Sequence, residues 1–372
     1  MVEIREITTR RDLKHFVKFH LNLYKNNPFW APPLIIDEMD TLDKTKNAAF
    51  KVSQARYWLA YKENKIVGRI AGIYNENHYK RWHKKQLRFG WFDFIDDPEV
   101  AGALLEQVEN WGKEMEMESV IGPMGFTDMD RNGMLVEGFD QLGTYAANYN
   151  YPYYPEIIEK LGYRPDVDWI EYKIKAPQEI PEIIPKLADR TLRNLGLRIV
   201  NFKKRKDIMK YADPVFELIM ETYRILYGYV DLEEEQIKQY TQKYIGFLKP
   251  KFITVVESNN GEVVGFGITM PSMTKGLQKA NGRLFPFGLF QILREMKKTK
   301  IIDLYLIGVK PEYQRKGVTT IILNKMAHDF IKMGIEYGES NPELEHNRDV
   351  QNQWKHFHRE QHKRRRVFIK EL

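Results

Sequence analysis

Two stretches of this chain follow one plan, and that repetition limits its possible folds more than any other feature. In the first, Tyr57-Trp-Leu-Ala-Tyr61 leads through polar Lys62-Glu-Asn-Lys65 to Ile66-Val-Gly-Arg-Ile-Ala-Gly-Ile73. In the second, Phe252-Ile-Thr-Val-Val-Glu257 leads through Ser258-Asn-Asn-Gly261 to Glu262-Val-Val-Gly-Phe-Gly-Ile-Thr269. Apolar runs of strand length around a polar turn predict a β-hairpin in each copy, and Asn260-Gly261 in the second is a strong turn signal. A further apolar strand is expected in each copy, at Leu87–Phe94 and Ile301–Val309. Both lead to a Pro-Glu pair, Pro98-Glu99 and Pro311-Glu312, and then to runs with helical spacing, Val100–Met115 and Val318–Met333. The Val-Gly offset between copies is 265 − 68 = 197 and the Pro-Glu offset is 311 − 98 = 213, so the second copy carries about 16 extra residues. These fall around Ser272–Gly288, ahead of a helix-like Leu289–Lys297, and are expected to be either a lid or a structural arm.

With 372 residues, the chain exceeds one typical core, and two domains are expected. There is no cysteine, which excludes a disulfide framework, a thiolate metal site and a cysteine nucleophile. No apolar run approaches the roughly 20 residues needed to cross a bilayer, and the N-terminus lacks a signal pattern, so a cytoplasmic protein without bound metal is expected. The net charge is +7, and Lys355–Leu372 holds 7 Lys/Arg against 2 Glu. That stretch reads either as a solvated face or as a patch for an anionic or carboxylate-bearing ligand. No nucleic-acid motif of the usual kinds is present, so nucleic acid is not an expected partner.

The copies differ after Pro-Glu. The second has Tyr313-Gln-Arg-Lys-Gly317 before its helix, whereas the first enters its helix directly at Val100 and has Asp96-Asp97 nearby. A helix N-terminus offers unpaired N–H groups and a positive dipole end, and glycine lets backbone approach a phosphate. Arg315 and Lys316 add the charge that a diphosphate requires, while Asp96-Asp97 would repel one.

The order strand, Gln314-Arg-Lys-Gly317-Val-Thr319, helix resembles the acyl-CoA diphosphate loop of the GNAT superfamily of N-acetyltransferases. It departs from that pattern at Thr319, where glycine or alanine is usual. Asn27–Leu34, Gly122–Phe126, Gly133–Asp140, Tyr149–Tyr154 and Asn281–Gly288 narrow the resemblance to a bacterial family of tandem GNAT-like proteins over nearly the whole chain. The fold class implied is α+β: two tandem GNAT-like domains, each a mixed, mostly antiparallel sheet with helices on both faces. Their expected bounds are 1–176, degenerate, and 190–372, binding acyl-CoA, separated near the prolines of Lys175–Pro185. The copies are expected to close with helices at Tyr154–Tyr163 and Asn347–Phe357 and with strands at Trp169–Ile174 and Arg365–Lys370.

The activity implied is acyl-CoA-dependent N-acyl transfer, with acetyl-CoA or another acyl-CoA as cofactor and a small-molecule or peptide amine as acceptor. By the same resemblance, the main chain of Ile307 and Val309 would pair with pantetheine. Gln314, Arg315, Lys316, Gly317, Val318 and Thr319 would hold the diphosphate, and Asn347 the arm. The resemblance also implies Asp303, six residues before Val309 in the strand, as the base, the other reading being a structural ion pair with a lysine or arginine; alternation along a strand puts Asp303, Tyr305 and Ile307 on one face. The position of the usual acidic tyrosine, seven residues after Asn347, is Trp354, so either the thiolate leaves with solvent help or Tyr305, His356 or His358 serves as the acid. Asn341, Tyr149–Tyr154 and the inserted arm are expected near the acyl group and its acceptor. Two other readings stay open: a Fem-like transferase using aminoacyl-tRNA, and a non-catalytic acyl-CoA-binding module.

Overall fold

A computed structural model describes residues 1–245 and 248–372 of the chain. Its first half comprises β1 (Glu3–Glu6), α1 (Arg10–Leu23), α2 (Ile35–Leu42), β2 (Ser53–Lys62), β3 (Lys65–Asn75), α3 (Glu76–Trp82), β4 (Gln86–Phe94), α4 (Pro98–Glu114), β5 (Ser119–Gly122), β6 (Met134–Glu137), α5 (Tyr153–Lys160) and β7 (Arg164–Lys175). The second half comprises α6 (Ile183–Leu195), β8 (Leu197–Ile199), α7 (Arg205–Met209), α8 (Ala212–Tyr223), α9 (Glu234–Ile245), β9 (Ile253–Ser258), β10 (Val263–Pro271), α10 (Thr274–Ala280) and α11 (Gly288–Lys298). It ends with β11 (Ile301–Val309), α12 (Val318–Met333), β12 (Tyr337–Ser340), β13 (Glu343–Leu344), α13 (Arg348–Asn352) and β14 (Arg359–Glu371).

The halves share one plan. Gly68 pairs with Phe94 in the first and Gly265 pairs with Val309 in the second, so β3–β4 and β10–β11 are equivalent hairpins. Within each half the pairing is antiparallel except for one parallel contact, β4–β5 or β11–β12. Helices cover both faces, since the apolar alternation of each strand exposes a hydrophobic side to each layer. In the second half, Val256, Val264 and Ile302 pack under α6 and α12, while Val255, Val263 and Phe266 pack under α7 and α8.

The halves interlock. The strand order is β1-β2-β3-β4-β5-β14-β7-β12-β11-β10-β9-β8, a single continuous sheet. The closing strand of the chain, β14, lies between β5 and β7 of the first half, and β7 in turn pairs with β12 of the second. Each half therefore lends its last strand to the middle of the sheet.

This exchange explains the centre of the basic C-terminal run, Lys363–Arg366, which is neither a solvated face nor an open anion patch, while Lys355 ahead of the strand is exposed. Alternation along β14 sends Lys363 and Arg365 inward and Arg364 and Arg366 to the other side. Lys363 pairs with Glu171 of β7 at 3.1 Å and with Glu339 of β12; Arg365 pairs with Glu171. All four side chains are at most 5% exposed. Arg364 and Arg366 pair with Asp168 at 2.8 and 2.7 Å. The charges are consumed in holding β14 to its neighbours.

The insertion is a structural arm. Gln278 Nε2 donates to Pro28 O and Trp30 O, Thr274 Oγ1 donates to Gly143 O, and Ile35 N donates to Gly282 O. These bonds tie α10 to the first half.

Candidate acyl-transfer site

Parallel pairing between β11 and β12 stops at Leu304↔Ser340. Beyond it Asn341 leans across, its N and Nδ2 donating to Leu304 O at 3.2 Å and Tyr305 O at 2.8 Å. The strands then part, and a cavity of about 900 Å³ opens there, near the top of the roughly 300–1,000 Å³ range usual for small-molecule sites. Tyr305–Val309, Gln314, Arg315, Gly317, Thr319, Asn341, Glu343 and Asn347 all line it.

A bulge alters the face assignment expected from alternation. Ile268 pairs with Leu306 but Thr269 pairs with Leu304, so Tyr305 is an extra residue on β11. The bulge shifts the phase by one, and bulges re-aim side chains next to active sites. Ile302, Leu304, Ile307 and Val309 pack on the α12 side, whereas Leu306 packs toward α8. Asp303 and Ile307 therefore do not share a face, contrary to strict alternation.

Tyr305 lines the cavity and contacts the apolar cluster beneath the arm. Asp303 is not among the lining residues; it is 1% exposed, beside Glu339. Burial, with the Glu339 carboxylate adding repulsion, pushes its carboxyl up to about 8, against the opposing pull of Lys363 and the Ser272 hydroxyl. The charge count gives the reason: Lys363 and Arg365 already match Glu171 and Glu339, which leaves a third carboxylate in excess. His356 is exposed and outside the cavity wall, as is His358.

The loop ahead of α12 has the conformation an anion site needs. Gly317 is the N-cap in the left-handed region, φ +93°, and no side chain caps the helix. A Cβ at Gly317 would meet Thr191 Oγ1 at 2.7 Å, so glycine is required both by φ and by the approach of α6. Gln314 Nε2 donates to Val309 O at 3.0 Å and fixes the loop to the strand end. Arg315 pairs with Asp349 at 3.2 Å, with side chains 84% and 72% exposed. An ion pair that open contributes little, and its guanidinium can exchange partners readily. Asn347 Oδ1 accepts from Val350 N at 3.3 Å as the cap of α13, and Tyr223 Oη donates to Ile307 O at 3.1 Å.

The equivalent place in the first half is closed. Phe94, counterpart of Val309, donates its N–H to Tyr154 Oη at 3.0 Å and accepts at its carbonyl from Tyr153 Oη at 2.6 Å. The N-terminus of α4 is capped by the Asp97 carboxylate, which Lys62 bridges to Glu99. Main-chain groups and helix end are both satisfied internally.

Sequence reasoning passed over Glu343. It lies in β13, just past Pro342, and lines the cavity, 9% exposed. Trp354 Nε1 donates to its Oε1 at 2.7 Å. Burial pushes its carboxyl up to about 7, partly opposed by Trp354, Arg359 and Ser340. The indole that stands where an acidic tyrosine was sought thus holds a carboxyl poised near neutrality. A carboxylate two residues after Asn341, in a segment already singled out, was the available signal.

The cavity continues into the first half. Its wall there carries Asp37, Glu38, Asp93, Asp128 and Asp130 against Arg69, Arg131 and, from α9, Lys243, which pairs with Asp37 at 3.5 Å, together with Tyr149 and Tyr154. Burial raises Asp128 to about 6. A second stretch of wall, Val215, Phe216, Ile219, Leu226, Ile268 and Leu306, is apolar.

Paired β-strands that part beside an open helix end, in one of two fused copies, define the GNAT class of fold. The sequence model described as the acetyltransferase (GNAT) family matches residues 212–356. A solved tandem GNAT protein from the clavulanic acid biosynthesis pathway is similar over 100% of this chain and 98% of its own, with a TM-score of 0.56 and 12% identity. A GCN5-related N-acetyltransferase from Sphaerobacter thermophilus is similar over 100% and 95%, with a TM-score of 0.51 and 12% identity. The chain as a whole has the tandem GNAT-like fold, and its residues 212–356 resemble the acetyltransferase (GNAT) family in sequence. In sequence it is 27% identical to Protein YghO of Escherichia coli, over 99% of this chain and 95% of that one. It is 24% identical to a bacterial ceramide synthase of Caulobacter vibrioides, over 83% and 80%.

Proposed function

We propose that this chain is an acyl-CoA-dependent N-acyltransferase. Its second repeat, 190–372, holds the cofactor, and its first, 1–176, builds the acceptor end. One observation carries the reading: a single cavity runs from the uncapped N-terminus of α12, past the parted strands, to Glu343 and the first-half wall. Bound acyl-CoA supplies an acyl group activated as a thioester.

The loop residues Gln314, Arg315, Lys316, Gly317, Val318 and Thr319 would hold the diphosphate through main-chain N–H groups and two cations. The main chain of Ile307 and Val309, with Asn347, would border the pantetheine arm. The Glu343 carboxyl would take a proton from the acceptor ammonium, for which a group near neutrality is suited. Tyr305 lines the cavity with its ring while its hydroxyl is buried, so the departing CoA thiolate would take its proton from solvent. Asp303, held protonated beside Glu339, would fix the strand rather than meet the acceptor.

The wall favours a cationic amine over an anionic acceptor, because five carboxylates face three cations there, Arg69, Arg131 and Lys243. The apolar stretch favours an acceptor or acyl group with a hydrocarbon part. A relative named as a ceramide synthase supports the same direction, toward an amphiphilic amine.

The cofactor site is tested by reversing its charge. Arg315 and Lys316 are exposed, so Arg315→Glu with Lys316→Glu leaves the fold intact. Charge-assisted hydrogen bonds contribute about 1.5–3 kcal/mol each, so CoA affinity measured by calorimetry falls at least roughly 100-fold. Unchanged affinity with an unchanged circular dichroism spectrum would place the cofactor elsewhere.

A further inference from the structure

We propose that α11 and the turn before it form a docking face for an anionic lipid bilayer. Phe285, Phe287 and Phe290 are 75%, 71% and 67% exposed, and Leu289 and Leu293 beside them are also exposed. No other segment among the described residues gathers this much exposed aromatic and aliphatic side chain. The helix is held rigidly from behind. Gly288 and Ile292 are its buried residues, and Ile292 packs against Gly276 of α10 so closely that a Cβ there would meet Ile292 Cα at 2.6 Å. The apolar side chains therefore project from a fixed platform.

Charge selects the partner. Arg283, Arg294, Lys297 and Lys298 are exposed around the aromatic group, and among the described residues none of them makes an ion pair. The neighbouring carboxylates are committed elsewhere, Glu295 to Lys279 at 2.7 Å and Glu336 to Lys300 at 2.9 Å. An apolar face bordered by cations fits the headgroup and acyl boundary of an anionic bilayer, where rings enter the interface and Lys or Arg meet phosphate. No helix among the described residues is long and apolar enough to cross a membrane, so the contact is peripheral.

The position gives the contact a purpose. The cluster beneath α11 includes Met270 and Tyr305, both of which line the cavity. Docking would hold the cavity next to the bilayer, the source of an amphiphilic amine. This last step rests on the proposed acyl transfer; the docking itself does not.

The test is co-sedimentation of the full chain with phosphatidylcholine vesicles, with and without phosphatidylglycerol. Binding is expected only with phosphatidylglycerol. Phe287→Ser with Phe290→Ser should lower partitioning by roughly tenfold or more, and Arg294→Glu with Lys298→Glu should abolish the anionic preference. All four residues are exposed, and circular dichroism verifies the fold of each variant. Absence of binding to anionic vesicles overturns the proposal, as does equal binding by the variants. Concentration-dependent dimerisation that the Phe→Ser pair abolishes would also overturn it, by assigning the face to a second copy. Vesicle binding is read without turnover, so its failure leaves acyl transfer untouched.

Discussion

Glu343→Gln is expected to lower kcat for amine acylation by about 10²–10⁴-fold, the usual contribution of a positioned general base, with CoA affinity unchanged. The amide keeps the volume and can still accept from Trp354 Nε1, so thermal stability should stay close to wild type. The pH profile separates this role from a structural one. Burial lifts the Glu343 carboxyl to about 7, and a base works only when ionised. The wild-type rate should therefore rise with pH through about 7, and that limb should vanish in the variant. Trp354→Phe supplies the sign check. The indole N–H bonds to Oε1 and favours the ionised form. Its loss should move the limb to higher pH. A wild-type rate in Glu343→Gln, or a limb that Trp354→Phe leaves in place, would remove Glu343 from the proton transfer.

The parts legible in the sequence were those fixed by local chemistry. Helix α12 runs over the expected residues, 318–333, because a left-handed glycine stands at each end, Gly317 and Gly334. The two hairpins were legible from their turns and apolar runs. The fifth strand of the second copy forms at Tyr337–Ser340, after Gly334 ends α12. The helix expected at Asn347–Phe357 is only Arg348–Asn352. Tertiary partners decided the rest. The first six residues of β14, Arg359–Arg364, were not expected as strand, because a charged stretch does not read as the middle of a sheet. It becomes one only where Glu171 and Glu339, far away in sequence, neutralise it. The bulge at Tyr305 depends on the pairing with β10, which no single-strand pattern reveals. Asp303 drew attention as a carboxylate in an apolar strand, and burial did raise its pKa, but its own strand could not show that it lies off the cavity wall. Glu343 was hidden for the opposite reason. It follows a proline in an unremarkable turn, and its burial comes from Trp354, eleven residues on.

Glu171→Gln is expected to destabilise the fold by about 3–5 kcal/mol at pH 7, the usual cost of removing one partner from a buried ion network. Two buried cations, Lys363 and Arg365, would then lose the carboxylate they share across the strands that join the halves. Urea denaturation measures the loss. Replacing the network by apolar residues, Glu171→Leu with Lys363→Met, Arg365→Met and Glu339→Leu, should recover part of it. The pH dependence has a defined sign. Burial alone would raise Glu171, but Arg365 and Lys363 overcome it and hold the group down to about 2. A depressed carboxylate stabilises the fold above its unfolded value of about 4.3, and the contribution disappears as pH falls from there toward 2. Wild type should lose stability steeply in that window, and Glu171→Gln should be flatter there. Asp303 works in the reverse direction, because its folded value of about 8 exceeds the unfolded value. Its contribution is complete in acid and declines as pH rises through about 8. Asp303→Asn should therefore gain stability over wild type at pH 9 compared with pH 5. Parallel stability curves for wild type and both variants would show that these charges do not couple β7, β12 and β14.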